Sequence, residues 1–409
     1  MLRRNRNLAL VVLARFVSRL GGTAVWFIGV WGTAAYTFDA TPQQLAIMSA
    51  ANGVAAIVGS LTAGVLIDRF GPRKVMVGAE VLSIPPLLLM VGADSFPVFV
   101  LFAALYSLFG VPTWTAGASF APYIVRDRVE LERANAYIEG GASLGFVLGP
   151  AVGALLTNAV GPSAVFVFTA LACIVAGIAA WFTRIDETPH EHVSGSAWTD
   201  FTDGVRLAYT TRSIRYFILT GSAVWFGFGA FSTLEPLFYR DVVGVGVEWI
   251  GWMNAFFGVG LITGATLLPR LPQRVLTATG LASLTMLTGL GTVLYVGSTD
   301  LRLIAAGGLI WGVFIGGLEP LLRTLLHLAS PHEYVGRIVG TAQWHKSAGE
   351  LIPLAFVPAL AATLGIQRTL IAGGLLVTLA GFIGLRTARS IDREHLVPEA
   401  APTPVPEVV

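Results

Sequence analysis

In Gly64-Val-Leu-Ile-Asp68-Arg69-Phe-Gly71-Pro-Arg73-Lys74, four charges crowd into positions 68–74, between apolar runs at about 43–67 and 75–93. Each run is long enough to cross a bilayer, because about 20 mostly apolar residues span a hydrocarbon core of roughly 30 Å. A basic loop this short, with Gly71 and Pro72 to turn on, joins two membrane spans on the side where positive charge is retained. A glycine, an acid, a tight turn and several bases also suit a clasp that ties helix ends together in one state and frees them in another.

The rest of the 409-residue chain agrees. Only 12% of residues are charged and 55% are hydrophobic, whereas a soluble domain carries roughly 25% charge. Mean hydropathy is +0.73. These values exclude a soluble enzyme, a disordered regulator and a nucleic-acid binder together. The net charge of +2 argues for no polyanionic partner. The single cysteine, Cys173, lies in an apolar run and offers neither a disulfide nor a thiolate metal site.

Twelve spans are expected, at about 8–37, 43–67, 75–93, 97–121, 136–158, 163–182, 214–238, 249–269, 275–297, 302–325, 337–363 and 367–387. With the N-terminus inside, 20 of the 26 Lys and Arg fall on inner segments, 3 on outer loops and 3 within spans. That asymmetry predicts both termini on the cytoplasmic side of the cell (inner) membrane. The one long connection divides the chain into residues 1–183, a cytoplasmic central loop at 184–213, residues 214–387 and a disordered cytoplasmic tail at 388–409. A weak repeat supports six plus six: Arg133, Ser143, Gly145, Gly161 and Gly177 match Arg337, Ser347, Gly349, Gly365 and Gly381 at one offset. The expected fold class is therefore an all-α polytopic membrane protein of two six-helix halves, with a site between them near midplane.

By motif, position and span count, Gly64, Asp68, Arg69, Gly71, Arg73 and Lys74 resemble the gating loop of the major facilitator superfamily. Pro72 stands where a base is common, and the repeat copy from Gly264 to Arg274 lacks the acid. Arg133-Ala-Asn135-Ala, followed by Gly145, Gly149, Pro150 and Gly153, resembles the fifth-helix motif of antiporters in that superfamily. The glycines recur every four residues, so they line one helix face and permit close helix contact. The opening at 15–22, the 133–136 box and an amphipathic segment near 200–212 are similar to the macrolide-efflux and Tap-like branch of drug:proton antiporters. Gly22 stands where that branch has an Asp. The resemblance implies the major facilitator fold, export coupled to protons, and a cavity lined by spans 1, 4, 7 and 10.

Ionisable groups inside a membrane are costly and mark candidate sites. In span 11, His345, Lys346 and Glu350 cluster, with Lys346 and Glu350 spaced i, i+4 on one face. They are either a proton-exchanging pair or a permanent internal salt bridge. Glu319 and Arg323 repeat the spacing in span 10, as a structural pair or a gate. Glu235 is either a protonatable cavity acid or an outer-gate partner of Arg240. Arg15 and Arg19 in span 1 cannot neutralise each other; Glu80 and Glu139 lie at similar depth and are their candidate partners. Arg19, deeper, is the candidate for facing substrate.

Five of the ten tryptophans, Trp26, Trp31, Trp114, Trp225 and Trp311, fall on spans 1, 4, 7 and 10. Aromatic walls suit bulky apolar or cationic ligands. No nucleotide-binding or hydrolase motif is present, and His190 with His192 is too little for a metal site, so no enzymatic activity, cofactor or metal is expected. The expected partners are a small-molecule substrate, protons and the lipid bilayer, with the chain acting as a monomer. The expected function is proton-coupled export of lipophilic or amphipathic small molecules by alternating access. Alternatives are an exporter of anionic amphiphiles (lipid or siderophore), a proton symporter, and a non-transporting membrane receptor or scaffold.

Overall fold

The computed structural model describes residues 5–125, 127–185, 197–272, 275–331 and 334–396. No β-strand occurs among them. The chain is a bundle of α1 (Arg6–Thr37), α2 (Pro42–Phe70), α3 (Pro72–Val91), α4 (Phe96–Ala118), α5 (Val129–Val160), α6 (Ser163–Trp181), α7 (Arg212–Val243), α8 (Glu248–Arg270), α9 (Ala278–Val296), α10 (Leu301–Ala329), α11 (Val335–Ala355 with Val357–Leu364) and α12 (Ile366–Arg393). Eleven are single helices long and apolar enough to cross a membrane, and the bent α11 makes twelve.

Local chemistry sets the ends. Thr41 caps α2, its side chain accepting from the Gln44 amide while the Gln44 side chain accepts from the Thr41 amide. Asp127 accepts from the amides of Val129 and Glu130 at the start of α5. Between α2 and α3 the helical winding is broken only at Gly71, with φ of 80°. A side chain there would clash with its own backbone, so the glycine read from the loop motif is what lets two spans join in one residue.

Two elements depart from the sequence reading. Span 11 is not straight: a 3₁₀ turn at Ile352–Ala355 and a 47° bend interrupt it. Pro353 and Pro358 cause this, because each removes a backbone donor and clashes with the preceding turn. The last helix does not end near 387, and residues 388–396, expected in a disordered tail, are helical. Asp392 explains the extension. Its carboxylate accepts from the amides of Ala278 (2.7 Å) and Thr279 (3.1 Å) and from the Thr279 hydroxyl (2.6 Å), which caps α9. Ala388 and Ile391 are fully buried beneath it. Within the central loop, Ala197–Thr210 forms a helix, while His190, His192 and residues 397–409 lie outside the described residues.

Most of the helix packing falls within α1–α6 or within α7–α12. Helix α1 lies against α5 and α6, and the joined pair α2 and α3 against α4 and α6; α10 packs on α8 and α9, and α12 on α7 and α9. The main bridge between the two sets is α5 on α8. The end of the bundle where α1 starts and α12 finishes is the proximal end, and the opposite end is distal.

Candidate functional site

The seam between the two sets of helices is closed at its distal end. Helix α1 finishes in π winding at Val25–Thr37, and α7 does the same at Phe238–Val243. These two segments meet. The Arg240 guanidinium pairs with Asp39 at 2.7 Å and donates to the Ala35 carbonyl. Tyr36 donates to the Val245 carbonyl at 2.9 Å. Below them Gly251 of α8 sits on the Pro150 carbonyl, and Gly258 leaves room for Val147. Gly53 of α2 faces Leu351 of α11.

The fifth-helix glycines point elsewhere. A methyl on Gly145 or Gly149 would strike the backbone of α1 at Leu20, and one on Gly153 would meet Ala24 and Ile28. The stripe therefore binds α5 to α1, while Pro150, Val147 and Ala154 of the same helix face α8. In the loop motif, Gly64 faces open space, Arg73 donates to the Thr183 carbonyl at 3.1 Å, and Arg69 stacks on Phe70. Asp68 and Lys74 are engaged as well.

Under the seam, α1, α4 and α5 bring two arginines together. Arg15 is buried, pairs with Glu139 at 3.1 Å and donates to the Trp114 carbonyl. Gly117 makes the space its side chain fills. Arg19 lies over the Trp114 ring at 4.3 Å and the Phe146 ring at 5.1 Å. Glu80, an expected partner for these bases, pairs with neither. It is 2% exposed, and one of its oxygens has no hydrogen-bond partner.

The second cluster joins α7, α10 and α11. Lys346 does not pair with Glu350, its neighbour one turn on; its ammonium contacts Glu319 at 2.8 Å and lies 4.5 Å from the Trp225 ring. Helix packing decides this. Lys346 is buried facing α10, so the carboxylate across the interface is the nearer one. Glu319 is thereby taken from Arg323, the pairing the sequence spacing suggested, and Arg323 is left exposed. Glu350 is half-buried, with Gly229 of α7 packed on its backbone. His345 points away from the pair. It contacts the Thr341 carbonyl at 2.8 Å and the Tyr209 hydroxyl of the central-loop helix at 2.5 Å.

Glu235 is also not where an outer gate needs it. It is 5% exposed and accepts from Asn254 and Tyr295, each at 3.0 Å, with Tyr239 hydrogen-bonded to Tyr295. Arg240, five residues on and past Pro236, is carried by the π turn to the other helix set. The tryptophans divide too. Trp114 is 52% exposed, but Trp31 and Trp311 are 4% and 3% exposed and do not form an open wall. Trp31 meets Trp26 edge-on, and Trp311 is packed among Phe231, Phe257 and Tyr295.

Several participants were not singled out from the sequence: Asp39, Tyr36, Phe146, Asn254 and Tyr295. Asn254 carried a usable signal, being an amide in the apolar run of α8. Phe146 carried none, since its role comes only from lying one turn below Pro150 at the seam.

A sequence profile of the Major Facilitator Superfamily matches residues 11–352. The multidrug efflux pump Tap of Mycobacterium tuberculosis is 27% identical over 388 residues, covering 88% of this chain and 89% of that protein. The multidrug resistance protein MdtG of Dickeya zeae is 23% identical over 349 residues, covering 82% of each. Among solved structures, a bacterial homolog of the human lysosomal transporter Spinster, inward-facing and unoccupied, superposes with a TM-score of 0.71 at 14% identity over 96% of this chain and 98% of that one. The peptide transporter POT in complex with sulfate gives 0.76 at 14% identity over 95% of each. These structural likenesses speak for the fold alone.

Proposed function

The chain belongs to the Major Facilitator Superfamily, and on that premise we propose that it exports lipophilic or amphipathic small molecules in exchange for protons. Helices α1–α6 and α7–α12 are the two bodies that rock, and both termini face the cytoplasm of the inner membrane. The observation that carries this reading is the distal seam. It is held by polar contacts from Arg240 and Tyr36 and by the glycine-lined packing of α5 on α8, and two charged aromatic clusters lie beneath it. The polar contacts re-form at modest cost once the two helices part. The similarity to efflux pumps across most of the chain supports export.

Coupling is assigned to the acids of the second cluster. Lys346 has Glu319 at 2.8 Å and Glu350 one helical turn away. Adding a proton to Glu350 leaves Lys346 wholly to Glu319; removing it sets two carboxylates in competition for one ammonium. A charge gained or lost on α11 in a low-dielectric interior biases which arrangement of the two bodies is favoured. Glu235, buried among neutral donors, is the second acid whose charge state the interior must meet.

Reconstituted vesicles with an imposed pH gradient test the reading. Dye movement driven by the gradient, abolished by protonophore and by Glu350→Gln with the protein still folded, is the expected result. Equal drive in wild type and Glu350→Gln would remove Glu350 from the role, and movement indifferent to protonophore would remove proton coupling.

A further inference from the structure

Three bases lie deep in the bundle, and they are not equivalent. Arg15 is neutralised by Glu139 and Lys346 by Glu319. Arg19 forms no ion pair, and its guanidinium donates no hydrogen bond among the described residues; its contacts are the rings of Trp114 and Phe146. An unpaired cation inside a membrane protein is costly, and a ring contact returns only part of that cost. Geometry matters as much as charge. Rings occupy the faces of a guanidinium, whereas its five N–H donors radiate in the plane and stay available as a fork. Trp114 is half exposed, so this group borders open space rather than sealed packing. Phe146 is next to Val147, which meets Gly258 of α8, so the open space adjoins the seam between the bodies.

We propose that Arg19 is the substrate-reading residue and that the transported molecules carry an anionic group (carboxylate, sulfonate or phosphate) on an aromatic or apolar body. The anion meets the guanidinium edge, and the body lies along Trp114 and Phe146. Among the described residues the other two deep bases, Arg15 and Lys346, are already matched by Glu139 and Glu319, so a single anionic group is read. This rests on the export reading for its direction, but the recognition itself is a binding property.

The test uses purified full-length protein in nanodiscs and three probes sharing one ring system: 1-pyrenebutyrate, 1-pyrenebutanol and a pyrenebutyl trimethylammonium salt. Energy transfer from tryptophan to pyrene reports binding. The expected result is a preference of about tenfold or more for the anion over the neutral alcohol, the scale of a charge-assisted hydrogen bond. Arg19→Gln should remove that preference while leaving the alcohol's affinity unchanged. Arg19→Lys should keep part of it, having the charge without the fork. Equal affinity for anion and alcohol in wild type, tighter binding of the cation, or a preference that survives Arg19→Gln would each overturn the proposal. So would the absence of binding by all three. The wild-type comparison needs no variant to fold. Anion-selective binding without transport in vesicles would sink the export reading and leave this one standing.

Discussion

Replacing Gly251 by alanine puts a methyl group into a seam that has no room for one. An added Cβ would stand 2.5 Å from Ile28 Cδ1 and 2.9 Å from Ala154 Cβ, and closer still to the Pro150 carbonyl. Carbon atoms prefer separations of about 3.5–4.0 Å, so the overlap is roughly 0.6 to 1.5 Å on two sides. Ile28 can turn aside, but the Pro150 carbonyl is fixed helix backbone. Overpacking of this sort costs about 1–3 kcal/mol. Because α5 and α8 belong to different bodies, the cost falls only on conformations in which their distal parts touch. The ratio of distally open to distally closed protein should then rise by about 5- to 150-fold. Gly149 supplies the control. A methyl there would meet the Leu20 carbonyl at 2.5 Å, but α5 and α1 lie in the same body and stay together in both states. Gly149→Ala should lower the unfolding temperature and leave the ratio alone. Spin labels at Gln43 and Thr299, exposed positions at the distal end of each body, report the ratio as a distance distribution. The native Cys173 is 6% exposed and stays silent. If both alanines shift the distribution alike, or if neither does, the division into two moving bodies is wrong.

Two further outcomes are expected. Asp392→Ala deletes three hydrogen bonds at the start of α9 and should cost about 1–2 kcal/mol of stability, as should truncation after residue 387; an unchanged thermal midpoint would return 388–396 to the status of a tail. Amides in the π-wound Val25–Thr37 should exchange with deuterium faster than those in Arg6–Ala24, and equal protection would mean the winding is static.

The fold was legible in the sequence because the bilayer imposes a length on every span, and apolar runs of that length are hard to disguise. Gly71 was legible for a similar reason: a one-residue turn between spans needs a positive φ. The pairing of charges was not. Lys346 to Glu350 and Glu319 to Arg323 are both sound readings of i, i+4 spacing, but a partner on another helix won in the first case and so dissolved the second. Spacing describes one helix, whereas a buried charge answers to whichever opposite charge packing brings closest. The same limit applies to Glu235. Nothing local says that Arg240 is turned to the other body by a π turn, or that Tyr295, sixty residues on, donates to Glu235 instead. Tryptophans show the limit from the apolar side, since Trp114 and Trp311 occupy matching spans but only one faces open space.

The two π segments have a mechanical consequence. In each, amides bond to carbonyls five residues back instead of four, so every turn of the winding stores more chain than a turn of α-helix needs. Releasing that slack rewinds the segment and swivels everything beyond it, by more for the 13-residue segment than for the 6-residue one. Tyr36 and Arg240 ride on those segments. The distal end can thus be unlocked like a pair of keys, by rotation in place, before either body has to tilt.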